Sequence, residues 1–73
     1  MKTENRYTFL HMIYDELEKA EKKHPKFCDH MTTYTLFESL VAYKEGDKEH
    51  CLQELAQCGA VILRMMDFVK EQK

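Results

Sequence analysis

Glycine and proline are scarce in this chain: Gly46, Gly59 and Pro25 are all it has. With 44% hydrophobic residues and so few breakers, it is too apolar and too unbroken to be disordered. Strand-like alternation, internal repeats and low-complexity tracts are also missing, so the expected fold class is all-α. There is no basic surplus. A net charge of −2 gives no electrostatic footprint for non-specific nucleic-acid binding. No apolar run approaches the roughly 20 residues of a membrane span, and no signal peptide is visible, so the expected address is cytosolic. Three cysteines, Cys28, Cys51 and Cys58, form an odd set without a disulfide framework, which fits a reducing compartment. The 73 residues make one domain, 1–73, in the size range where a single core is barely sufficient. Part of the stability is therefore expected from self-association.

Helical periodicity is plentiful. Phe9, Leu10, Ile13, Tyr14, Leu17 and Ala20 recur at three- and four-residue steps, predicting a first helix from about Glu4 to Lys23 with Thr3 as its cap. Acids early and lysines late on its polar face suit the helix dipole, and Pro25 stops it. A connector over His24–Met31 comes next, with Phe27 expected to fasten it to the bundle. The second helix is expected to be capped by Thr32 or Thr33 and to bury Leu36, Phe37, Leu40 and Val41. The third is expected from Asp47 to about Glu71. Its apolar face is Leu52, Leu55, Ala56, Gly59, Ile62, Leu63, Met66 and Val69. Gly59 and Ala60 in mid-helix lower helix propensity, which predicts close approach of another helix or a ligand there.

Gly46-Asp47 is the hinge between the second and third helices. Glycine accepts positive φ just past a helix end, and Asp47 is a good N-cap for the third helix. If the two helices run antiparallel, Glu38 and Glu54, each eight residues from Gly46, share a level about 12 Å from the turn. Thr35 and Gln57 meet one turn further out. On a helical wheel Glu38 lies about 130°, and Glu54 about 110°, from the centre of its own apolar stripe. They are flank positions: a cation site if a further layer of helices covers them, two solvated surface acids if not.

The remaining constellations have plainer readings. Cys28-x-His30 with His50-Cys51 contains four potential zinc ligands, but adjacent His50 and Cys51 diverge by about 100° on a helix, which makes joint chelation awkward. Cys51 and Cys58 share a helix face and read as small core or interface residues. No third group is evident to orient a nucleophilic Cys-His pair. Met65 and Met66 beside Phe68 read as an adaptable packing surface.

The segment Leu36-Phe-Glu-Ser-Leu-Val-Ala-Tyr-Lys-Glu-Gly-Asp47, then Leu52-Gln-Glu-Leu-Ala-Gln-Cys-Gly-Ala-Val-Ile-Leu-Arg64, resembles the MazG-like all-α nucleoside triphosphate pyrophosphohydrolases, especially short phage and bacterial members. In those, an "A-x-x-E-G-D"-like turn leads into an "E-L-x-Q-x-x-A-x-x-L-R"-like helix. Ala20-Glu-Lys-Lys-His-Pro-Lys-Phe27 is similar to their "E-K-H-P-x-F" lead-in. The resemblance spans roughly two-thirds of the chain and implies a three-helix chain forming a MazG-like bundle by homo-oligomerisation. It also implies Mg²⁺ held by a Glu-x-x-Glu pair and a Glu-x-x-Asp pair, gripping a triphosphate while water attacks. By position Glu38 and Glu54 match one acid of each pair, while Thr35 and Gln57 stand where the other two acids belong.

Mg²⁺ can bind through one or two carboxylates plus phosphate oxygens, so metal-assisted nucleotide binding survives this reduced set. Two-metal hydrolysis is harder to retain. The expectation is thus a cytosolic, phage-type nucleotide-binding protein with impaired or absent catalysis and no confident catalytic residue. Metal would sit at Glu38 and Glu54, with Gln57, Arg64, His24 and Tyr34 as candidate nucleotide contacts. His24 would meet phosphates at a pocket mouth, and Arg64 would pair with Glu54 or with the nucleotide. Tyr34, Phe37 and Tyr43 would stack a base or join the core. The alternatives are an active Mg²⁺-dependent pyrophosphohydrolase, and a helical module that binds no ligand and blocks or assembles a protein partner, such as a host protein.

Overall fold

A computed structural model describes residues 1–26 and 30–71, with the side chains of 30–35 excepted. Three helices account for nearly all of them: α1 (Thr3–Lys23), α2 (His30–Glu45) and α3 (Lys48–Glu71), with no strand among the described residues. The all-α expectation holds at this level. Phe27 and Cys28 lie outside the described residues.

Two expected caps are displaced. Lys2, not Thr3, occupies the N-cap of α1, since Thr3 is already helical, and its ammonium, a donor only, makes no side-chain capping bond. Similarly α2 begins at His30, ahead of both Thr32 and Thr33, so neither threonine ends the helix. At the other end of α1 the expectations hold. Lys22 and Lys23 occupy the last turn, the His24 amide donates to the Ala20 carbonyl at 2.7 Å, and the helix stops before Pro25.

The Gly46-Asp47 hinge forms as expected. Gly46 has φ +80°, and its amide donates to the Tyr43 carbonyl at 3.1 Å while the Asp47 amide donates to the Ala42 carbonyl at 3.3 Å. These two bonds are the paired closure of a Schellman motif. Asp47 then turns cap for α3, its carboxylate accepting the His50 amide at 3.0 Å and its carbonyl accepting that of Cys51 at 2.9 Å. Asp47→Ala is expected to cost about 1 kcal/mol. The check is a lower urea midpoint with an unchanged slope.

Packing departs from the expected stripes. Among the described residues the buried ones are Ser39, Ala42, Cys51, Ala56, Cys58 and Ala60, all small, and no large side chain is fully buried. Leu36, Phe37 and Leu40 of α2 are exposed, with only Val41 half-buried. On α3, Ala56 is buried and Gly59 and Leu63 are half-buried, but Leu52, Leu55, Ile62, Met66 and Val69 are exposed. On α1, Phe9, Ile13, Leu17 and Ala20 are half-buried, while Leu10 and Tyr14 are exposed.

The reason is the arrangement of the helices. α3 packs against both α1 and α2, but no close backbone approach joins α1 to α2 among the described residues. Contact with α2 runs along the Cys51 side of α3, where the thiol donates to the Ser39 carbonyl at 3.5 Å. Contact with α1 runs along the Gly59 side, where Ile13 sits so close that a Cβ on Gly59 would lie 2.9 Å from its Cδ1. The close approach expected at Gly59 is therefore made by α1. On a wheel of about 100° per residue, Ala56, Ala60 and Leu63 continue the α1 side, well round from Cys51 and Cys58. Helices come together where side chains are small, and the middle of each expected stripe is left between neighbours.

The result is a layer with α3 in the centre, measuring 41 × 27 × 21 Å. Ile13 with Gly59, then His24 with Arg64, show that α1 runs parallel to α3, whereas the hinge makes α2 antiparallel. Given the right-handed sense of each helix, Leu52, Leu55, Ile62 and Met66 of α3 turn to one face of the layer. Leu36, Leu40 and Tyr43 of α2, and Tyr7, Leu10 and Tyr14 of α1, turn to that same face. All ten are exposed large hydrophobics, which makes this the apolar face. Glu38, His50, Glu54 and Gln57 turn to the other.

Candidate functional site

The hinge sets the level of the acids. Glu38 and Glu54 stand eight residues either side of Gly46 in antiparallel helices, and both are half-buried, as their flank positions predict. Glu54 is the better shielded, its side chain only 16% exposed. One helical turn earlier the His50 ring nitrogen Nε2 lies 3.1 Å from Glu54 Oε1, fixing the carboxylate's rotamer. His50 had no place in the expected site. Its signal was present as the i,i+4 spacing to Glu54 on a helix, a pairing independent of tertiary structure. Gln57, one turn further along, is exposed on the same side of α3.

Arg64 and His24 are brought together elsewhere. The Arg64 guanidinium donates to the His24 backbone carbonyl, placing a cation on the C-terminal end of α1. Of the two partners expected for Arg64, Glu54 is not reached: ten helical residues separate them by about 15 Å, beyond side-chain reach. Arg64 is instead a tether between α1 and α3. Beside it a cavity of about 500 Å³ is lined by Leu17, Glu21, Pro25, Leu63, Arg64, Asp67 and Phe68. Two carboxylates around one guanidinium make it a poor receiver for phosphate. The expected nucleotide contacts thus fall into two groups, one around Glu54 and one around Arg64. The Tyr34 side chain lies outside the described residues, and Phe37 and Tyr43 are exposed rather than in the core.

The two described thiols, Cys51 and Cys58, are buried and structural. Cys51 points to Ser39 while His50 points to Glu54, the divergence expected of helix neighbours. Burial pushes the Cys58 thiol up, which disfavours the thiolate that nucleophilic chemistry needs. Among the described residues no three His, Cys, Asp or Glu side chains converge as a metal site. A single Mg²⁺ needs less. The hard carboxylate oxygens of Glu38 and Glu54 would supply part of its shell, with phosphate oxygens and water supplying the rest, and the His50 contact would orient Glu54 from behind. No helix is long and apolar enough to cross a membrane among the described residues. Comparison with protein-family models, curated proteins and solved structures finds no match to this chain.

Proposed function

We propose that the chain binds a nucleotide or nucleotide-like phosphate with Mg²⁺ at Glu38 and Glu54, as a MazG-like homo-oligomer with little or no turnover. The observation carrying this reading is Glu54 itself. Its side chain is 16% exposed with a neutral-capable histidine as its polar partner, at the level of a second half-buried acid. Two half-buried carboxylates at one level on neighbouring helices suit a cation able to bridge them. A Mg²⁺–phosphate complex would do so through oxygen ligands alone. With one acid in each expected pair replaced, by Thr35 and Gln57, the second ion of a hydrolytic centre would lack ligands. Sequestration of a nucleotide suits such a reduced set, and a phage or mobile-element protein would have use for it.

The test is to incubate the purified protein with a nucleotide mixture and Mg²⁺, then denature it and identify what was held. Intact nucleotide recovered from the wild type, and lost in Glu38→Ala and Glu54→Ala with helix content unchanged, supports the proposal. Monophosphate with pyrophosphate would instead mean an active pyrophosphohydrolase. No bound species would leave the third reading, a helical interaction module, which the exposed apolar side chains favour.

A further inference from the structure

We infer that the cavity between the end of α1 and the later turns of α3 is a binding site of its own. It takes a small organic ammonium, one amine cation on a compact apolar body. The site lies apart from Glu38 and Glu54, because Asp67 is thirteen helical residues, about 20 Å, along α3 from Glu54. Three observations carry it.

The first is register. α1 and α3 run parallel with Ile13 against Gly59, so Leu17 stands level with Leu63 about one turn on, and Glu21 with Asp67 about one turn further. The helices touch where glycine faces isoleucine. Where the facing residues become leucines and then acids, a cavity of about 500 Å³ opens. That volume lies within the roughly 300–1,000 Å³ of ordinary small-molecule sites.

The second is charge. Glu21 and Asp67 line the cavity, and among the described residues neither makes an ion pair. Arg64 lines it too, but its guanidinium donates to the His24 carbonyl and pairs with neither acid. Two carboxylates against one guanidinium leave a negative excess open to an incoming cation. The C-terminal end of α1 adds the negative pole of its helix dipole.

The third is the apolar wall. Leu17, Leu63 and Phe68 line the same space as the two acids. They would cover a hydrocarbon body while the carboxylates meet its ammonium, the few-polar-groups pattern of small-molecule sites. A hydrated metal ion would gain nothing from that wall, and an anion would meet repulsion from the acids. The lining therefore selects an amphipathic cation.

Titration of the full chain with 2-phenylethylammonium, followed by amide chemical shifts, tests this. Saturable shifts centred on residues 17–25 and 63–68 are expected, with a Kd of about 1 mM or tighter. Glu21→Gln and Asp67→Asn, isosteric changes at exposed positions, should keep the helices and each weaken binding at least about fivefold. Phenylacetate, a similar body of opposite charge, should bind at least about fivefold more weakly than the amine. Equal or tighter binding of phenylacetate overturns the inference, because Arg64 would then be the charge the cavity presents. Unchanged affinity in either acid variant, shifts centred outside the cavity, or no saturable shift at about 10 mM amine overturns it as well. Glu54→Ala should keep the amine site while losing any nucleotide, so failure of the nucleotide proposal reads out separately.

Discussion

Ala42→Leu and Ala60→Leu should each destabilise the chain by about 3 kcal/mol, enough to leave it largely unfolded at modest urea. Both alanines are 1% exposed, Ala42 on the inner side of α2 and Ala60 in mid-α3. Each isobutyl side chain, three carbons larger than the methyl it replaces, would have to enter a seam whose closeness depends on small residues, as the Ile13–Gly59 contact illustrates. Leucine is as good a helix former as these positions need, so propensity cannot account for the loss. The effect is large relative to the total, since a single core in a chain of this size rarely supplies more than about 3–5 kcal/mol. Urea titrations monitored by circular dichroism, at matched protein concentration, measure it. Phe37→Ala, which removes a far larger but exposed side chain, should shift the midpoint little. Equal midpoints for all three variants would mean that the seams are not close-packed.

Gly46→Val should cost about 2 kcal/mol, and Gly46→Asn much less. The glycine has φ +80°, and nothing lies within 4 Å of where its Cβ would be. Space is therefore not the constraint. The cost is conformational, from forcing a β-branched residue into the left-handed region that asparagine tolerates. Relaxing to negative φ would break the two amide bonds to Tyr43 and Ala42 and shift the register of α3 against α2. Denaturant midpoints for the two variants separate the explanations. If valine and asparagine cost the same, the lost property is glycine's bareness rather than its φ.

Much of the chain could be read from local pattern. Helix periods, the stop before Pro25, the Gly46 closure and the Asp47 cap depend on interactions within a few residues, so the sequence contains them whole. The flank position of Glu54 came from wheel arithmetic, and its pairing with His50 needed only the i,i+4 rule. The destination of Arg64 could not be read that way. Its partner is the His24 carbonyl, forty residues away in the chain, and any of several backbone or acidic groups would have satisfied the same side chain.

Burial was the other matter beyond local reading. Hydrophobic periodicity marks the face a helix would hide if it were surrounded, and by that measure Leu36, Phe37, Leu40, Leu55 and Ile62 belonged inside. Residues near one another in the chain settle the three helices, the hinge and the polar or apolar character of each face, through backbone geometry alone. It took the packed helices to settle that small residues fill the seams, that α1 and α2 leave the middle of α3 uncovered, and that the acids lie opposite the apolar face. Burial depends on how many helices surround each face, and one chain has two to place around α3.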